Sequence, residues 1–129
     1  MHYKTHYLQK TMKNKKKATT SSDFVHYCLE LLAPTGHVTA RAMFGGHGLY
    51  RDRVIFALIA DDRLYFKVDD DSRASYEQYN AEPFVYSKQG KQYQMSYYEV
   101  PVAVLENQSL LCDFVDQACA EIGRAHVWT

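Results

Sequence analysis

Three of the chain's six glycines fall within four positions, in the nonapeptide Ala42-Met43-Phe44-Gly45-Gly46-His47-Gly48-Leu49-Tyr50. Glycine costs a strand both packing surface and conformational entropy. A cluster of it among strand-forming residues therefore marks a bulge or the close approach of another backbone. The residues that follow are as strongly patterned. Residues 54–60 are an unbroken apolar run of strand length, Asp61-Asp62 is a tight turn, and Leu64, Phe66 and Val68 alternate with Arg63, Tyr65 and Lys67. Strands joined by connections this short form an antiparallel meander. The spacing predicts one strand from about Thr39 to Tyr50, bent at its glycines, followed by two more.

An amphipathic helix precedes the meander. Asp23 reads as its N-cap, Phe24, Tyr27, Cys28, Leu31 and Leu32 recur on one face, and Pro34-Thr35-Gly36 ends it. After the meander, Asp69-Asp70-Asp71-Ser72 opens a short helix over 73–79 that presents Tyr76 and Tyr79 to the sheet. Three adjacent aspartates also invite a calcium-loop reading, but the alternating ligands, central glycine and distal glutamate of such a loop are missing. Residues 83–87 and 91–98 read as strands joined at Gln89-Gly90. Pro101 closes the second, and Leu111, Phe114, Val115, Ala118 and Cys119 mark a last amphipathic helix. The order α-β-β-β-α-β-β-α predicts a two-layer α+β domain with helices on one face of an antiparallel sheet.

A length of 129 residues and an apolar fraction of 47% suit a single packed domain. No run approaches the roughly 18 apolar residues of a membrane span. The net charge of zero conceals a division. Residues 1–22 carry six lysines and no acid, whereas residues 23–129 carry nine Lys/Arg against fifteen Asp/Glu, a balance of −6. The chain is therefore read as a basic, solvated, disordered arm over 1–22 and a folded domain over 23–120. Lys13, Lys15, Lys16 and Lys17 of the arm offer a non-specific contact to nucleic-acid phosphate as the alternative to simple solvation. Residues 121–129 are read as a doubtful tail. Glu121 to Val127 is also what a common sequencing adapter encodes when read in frame, while a genuine helix end closing at Gly123 is the competing reading. The arm has no apolar stretch of the secretory kind. Cys28, Cys112 and Cys119 are odd in number and contain no CxxC, which fits reduced thiols in the cytoplasm.

Tests for chemistry return little. Gly45-Gly46-His47-Gly48 is followed by a strand and by no Lys-Ser/Thr pair, so it is neither a P-loop nor a dinucleotide-binding turn. None of the six histidines stands at metal-ligand spacing from another. His47, between glycines, reads as a surface turn residue with an unusual backbone angle. Cys28 on an apolar helix face is a poor thiolate, no serine sits in a nucleophile elbow, and Asp52, Asp61 and Asp62 occupy turns where solvation explains them. No catalytic residue, metal site or cofactor is expected. Arg41, Arg51, Arg53, Arg63, Lys67 and Arg73 form a basic strip, balanced by neighbouring aspartates.

The combined string is more specific than any of its parts. Arg41-x-Met43-Phe44-Gly45-Gly46-x-Gly48-Leu49-Tyr50, Phe56-Ala57-Leu58-Ile59, Leu64-Tyr65-x-Lys67-Val68-Asp69, Pro83-Phe84-x-Tyr86 and Met95-Ser96-Tyr97-Tyr98-x-Val100-Pro101 closely resemble the TfoX (Sxy) N-terminal domain family in order and spacing. The likeness covers about Phe24 to Ala120. Arg53, where the family often has glycine, and Phe66, where it often has leucine, are small departures. The resemblance implies an α-β(3)-α-β(2)-α layout similar to type III secretion chaperones. It also implies a regulator of competence (DNA-uptake) genes that acts with the cyclic-AMP receptor protein, a transcription factor. Full-length regulators of this kind carry a further C-terminal helical domain. The expectation is a non-enzymatic regulatory domain working by protein contact, in the cytoplasm, with a homodimer as one admissible state. Its expected surface comprises Arg41, Tyr50, Tyr65, Lys67, Tyr97 and Tyr98, because aromatic and arginine side chains anchor interfaces. Met43, Phe44, Gly45, Gly46, Gly48, Leu49, Pro83, Phe84 and Pro101 are motif positions with a structural role. The alternative is a small ligand-binding protein or enzyme with a pocket near Gly45–Gly48.

Overall fold

A computed structural model describes residues 22–43 and 45–127, with side chains as far as residue 120. Helix α1 (Ser22–Leu32) runs into a 3-10 turn (Ala33–Thr35). Strands β1 (Val38–Met43), β2 (Gly46–Arg51), β3 (Val54–Ala60) and β4 (Arg63–Lys67) follow, then helix α2 (Asp70–Glu77). Strands β5 (Pro83–Lys88) and β6 (Lys91–Glu99) precede the short helix α3 (Val102–Leu105) and the long helix α4 (Gln108–Val127). The six strands have the order β1-β2-β3-β4-β6-β5, and with the helices they make an α+β fold. The chain divides into two compact units, Met1–Leu64 and Tyr65–Thr129.

In the first unit β1 and β2 pair antiparallel from Val38↔Arg51 to Met43↔Gly46, so only residues 44 and 45 connect them. Gly45 supplies the left-handed turn position at φ 77°. This corrects the expectation of a single bent strand over 39–50. The glycines fold the chain back on itself, and four strands precede α2 where three were expected. A hairpin turn and a bulge both place glycine between strand-forming residues, and local sequence does not separate them. A bulge does occur, one strand further on. The β2–β3 register shifts between Leu49 and Tyr50, which leaves Phe56 on β3 unmatched. The Asp52-Arg53 turn (φ 54° and 69°) and the Asp61-Asp62 turn (φ 53° and 55°) both have two left-handed residues, the two-residue hairpin geometry that follows strand twist.

Apolar spacing docks α1 on this meander. Phe24, Val25, Cys28 and Leu32 are buried, as are Leu49 of β2 and Phe56 to Ile59 of β3. Tyr27 and Leu31 of the expected face are only half-buried. The helix already includes Ser22, so Asp23 lies in its first turn and not at an N-cap. Thr35 Oγ1 donates to the Leu32 carbonyl at 2.7 Å, and Arg51 Nη1 donates to the Thr35 carbonyl at 2.9 Å. Arg51 therefore fixes the helix exit from the end of β2.

In the second unit the aspartate run behaves as a cap. Asp69 Oδ1 accepts from the Ser72 amide at 2.7 Å and the Asp69 amide donates to Ser72 Oγ at 3.0 Å, a reciprocal capping box. Asp70 and Asp71 then complement the helix dipole. Tyr76 is fully buried, with its ring 5.9 Å from Tyr98 and 5.0 Å from Phe114. Tyr79 does not join it. The helix ends at Glu77 and Tyr79 is 41% exposed, which corrects the expectation that both tyrosines face the sheet. β5 and β6 form a hairpin through Gln89 and Gly90 (φ 54° and 78°). Pro101 does more than close β6. It is the N-cap of α3, a helix too short to show a period in sequence. Asn107 Oδ1 accepts from the Leu110 amide at 3.1 Å and starts α4, which passes through Gly123 without ending there.

Candidate functional site

The outward residues of β1 and β2 form a groove. The register sets Thr39 opposite Tyr50 and Arg41 opposite Gly48. Because Gly48 has no side chain, its neighbours close over it. A Cβ there would meet Met43 Sδ at 2.7 Å, Ile55 Cδ1 at 2.9 Å and Tyr50 Cε1 at 3.4 Å. The Tyr50 ring leans over the glycine, and the Arg41 guanidinium stacks 5.9 Å from the ring centroid. Such a cation–π contact stabilises by about 0.5–1 kcal/mol where it is exposed. It also holds both side chains in one presented geometry. The groove encloses about 570 Å³ and is lined by His37, Thr39, Arg41, Tyr50, Asp52 and Arg53.

Two guanidiniums and an imidazole thus face one carboxylate. Neither Arg41 nor Arg53 has an ion-pair partner among the described residues. Arg53 holds this place at a cost. At φ 69° it occupies a left-handed position that glycine fills without strain, a difference of roughly 1 kcal/mol. Replacing it with glycine should raise stability by about that amount while removing one charge from the groove, readable as a shift of the denaturation midpoint.

The remaining expected surface residues lie in the second unit. Tyr65 and Lys67 are half-buried on β4. Lys67 Nζ sits 5.2 Å from the Tyr97 ring centroid, and Tyr97 beneath it is 7% exposed. Tyr98, 6% exposed, points to Tyr76. Strand alternation turns it inward, so it offers a partner nothing. Among the motif positions, Leu49 is fully buried, while Met43, Pro83, Phe84 and Pro101 are half-buried. Phe44 and the arm lysines Lys13, Lys15, Lys16 and Lys17 lie outside the described residues.

Residues 30–122 match the family model of the TfoX N-terminal domain. The chain belongs to that family. It is 29% identical over 83 residues to the DNA transformation protein TfoX1 of Aliivibrio fischeri, covering 64% of this chain and 40% of that protein. It is also 29% identical over 79 residues to Protein Sxy of Escherichia coli K12, covering 61% of this chain and 38% of that protein. The chain thus spans about two-fifths of the length of the curated relatives it matches.

Gly46 and Gly48 of this TfoX domain are packed over by neighbouring atoms. A Cβ on Gly46 would fall on the Ile59 carbonyl oxygen, and Gly48 is roofed by Met43 and Ile55. The second concave region, lined by Asp23, His26, Tyr27, Leu29 and Glu30, lies along α1, away from the glycines. His47 is not a turn residue. It belongs to β2, paired with Ala42 and Ile59, without a positive φ, and its Nδ1 is buried with no hydrogen-bond partner among the described residues. Among the described residues no cluster of His, Cys, Asp or Glu is arranged to hold a metal, and no helix is long and apolar enough to cross a membrane.

Sequence reasoning missed Asp62. Its turn position suggested a solvated carboxylate, yet it is 1% exposed. Nothing in a two-aspartate turn signals which one folds inward. Burial, and secondarily the Asp62 charge, pushes the Cys28 thiol well above its ordinary range. Burial likewise pushes the Asp61 carboxyl up, with Arg63 opposing and Asp62 adding to the shift. Burial also pushes the Tyr76 phenol up. Cys28 and Tyr76 hold their protons in the folded state where the unfolded chain releases them. Stability is therefore level in this respect through neutral pH and falls as pH rises above about 9, by up to about 1.4 kcal/mol per pH unit for each group. Denaturation followed from pH 7 to 11 should show this fall, and Cys28→Ala should remove its first part. In the native protein the half-buried Cys112 and Cys119 should be alkylated well before Cys28.

Proposed function

We propose that this TfoX domain is a non-enzymatic regulatory module of DNA-uptake genes that acts by protein contact, with the β1–β2 groove as its docking surface. The observation that carries this reading is the Arg41–Tyr50 stack beside Arg53, two guanidiniums without ion-pair partners among the described residues in one concave surface. Arginine and tyrosine are the residue types that most often dominate interface energy, and a preset stack lowers the entropy cost of binding. The charge calls for an acidic patch on the partner. A transcription factor of the cyclic-AMP receptor type is the partner proposed, which places the work in the cytoplasm. The name of the Aliivibrio relative, a DNA transformation protein, supports the biological role.

The test is a transcription reporter on a DNA-uptake promoter, in a bacterium lacking its own regulator of this family. Arg41→Ala and Arg53→Gly both alter exposed side chains, so the fold survives. Arg41→Ala should reduce reporter output tenfold or more, the range of an interface hot spot, and Arg53→Gly should reduce it severalfold. Full output from both variants would remove the groove from the mechanism.

A further inference from the structure

Strands β4, β5 and β6 have two faces of different chemistry. Tyr98, against Tyr76, whose ring also meets Phe114, marks the face covered by helices of the same unit. The register places Lys67 opposite Tyr97, Tyr65 opposite Glu99 and Tyr86 opposite Tyr93, all on the other face. Ring contacts agree. Tyr65 meets Phe84 edge-on with centroids 5.1 Å apart, and Tyr86 lies 6.5 Å from Tyr93. Tyr93 and Met95 are 48% and 39% exposed, a large apolar exposure for a sheet face. Phe84 and Tyr86 are two apart on β5, so the two aromatic pairs follow one another at roughly 6.6 Å along the strand.

Charge decides what such a face attracts. The same register puts Lys88 and Lys91 opposite each other at the hairpin end, on the side of Tyr86 and Tyr93. With Lys67 they give three ammonium groups beside Glu99, the carboxylate the β4–β6 pairs place on this face, on a domain whose balance over residues 23–129 is −6. Tyr93 is exposed and Phe84, Tyr86 and Tyr65 are half-buried beside it; rings presented along a strand and flanked by lysine form a stacking platform for bases with neutralisation for phosphates. Aromatic side chains also anchor protein interfaces, but rings combined with lysines on an otherwise acidic domain match a partner that brings flat bases and phosphates together. We infer that the outer face of β4–β6 binds single-stranded nucleic acid, with bases stacked on Tyr93 and its neighbours and phosphates against Lys67, Lys88 and Lys91. The contact is sequence-tolerant, because every base has a face to stack. It is independent of the β1–β2 groove, which shares no residue with it.

Fluorescence anisotropy with the full chain tests this, using labelled 15-mers of deoxythymidine and of uridine and a duplex with the same number of phosphates. The single strands should bind more tightly than the duplex. Tyr93→Ala should weaken them about tenfold, within the range for loss of one stacked base. Lys91→Gln should reduce the slope of log affinity against log salt by about 0.7. Gln94→Ala, exposed on the opposite face, should change nothing. If neither strand binds, or Tyr93→Ala binds as tightly as the wild type, the inference is overturned, and in the second case the basic arm alone accounts for binding. Loss of reporter output in Tyr93→Ala with no oligomer binding would also overturn it and mark the face as a protein contact.

Discussion

Gly46→Ala is expected to unfold the first unit, with a loss of several kcal/mol against about 1 kcal/mol or less for Gly48→Ala two residues away. Overpacking against a closed core costs about 1–3 kcal/mol and sometimes more. The difference between the two positions lies in what the new methyl meets. At Gly46 it meets backbone, the Ile59 carbonyl, with the Ala60 Cα 3.3 Å away. That backbone belongs to β3, whose residues Phe56 to Ile59 are all buried, so it cannot withdraw. At Gly48 the methyl meets the far ends of Met43 and Ile55, which can rotate aside. Alanine also recovers part of the entropy that glycine loses in a strand. Chemical denaturation of both variants checks the contrast. Equal losses would mean that the glycine segment is not packed against β3 as described.

Tyr76→Ala is expected to cost about 3–5 kcal/mol, the range for removing a buried aromatic, and so to unfold the second unit or leave it marginal. The ring is 1% exposed and is the contact that α2 makes with Tyr98 of β6 and Phe114 of α4. Tyr76→Phe keeps those ring contacts and should cost about 1 kcal/mol or less. It should also flatten the alkaline loss of stability that the Tyr76 phenol contributes. A similar loss in both variants would mean that the hydroxyl, and not the ring, holds the helix.

Some elements were plain in sequence because a single physical cause fixes them. The apolar run of β3 matches Val54–Ala60 residue for residue, and the Asp61-Asp62 and Gln89-Gly90 turns fall where their residue types demand. The Asp69 cap needed only the aspartate run and Ser72 three residues on. Where two causes share one signature, the sequence was ambiguous. Glycine at 45–48 suits a bulge or a hairpin, and only the pairing of Met43 with Gly46 separates them. Helix α3 spans four residues, fewer than two turns, so it has no readable period. The inward turn of Asp62 and the outward turn of Tyr79 depend on tertiary packing that local pattern does not encode. The groove was half visible. Arg41 and Tyr50 were expected at the surface, but an odd spacing along one strand would part them, and only the β1–β2 register puts them on one face and, with the left-handed turn, adds His37 and Arg53.

The groove holding Arg41, Tyr50 and Arg53 is proposed as a protein-docking surface. Its most direct test is the affinity of the purified chain for a cyclic-AMP receptor-type transcription factor, measured by titration calorimetry in the wild type and in Arg41→Ala, with thermal denaturation of both as the folding control. Measurable binding is expected, weakened tenfold or more in Arg41→Ala at an unchanged denaturation midpoint. Binding of equal strength in the two proteins, or no binding by either, would contradict it.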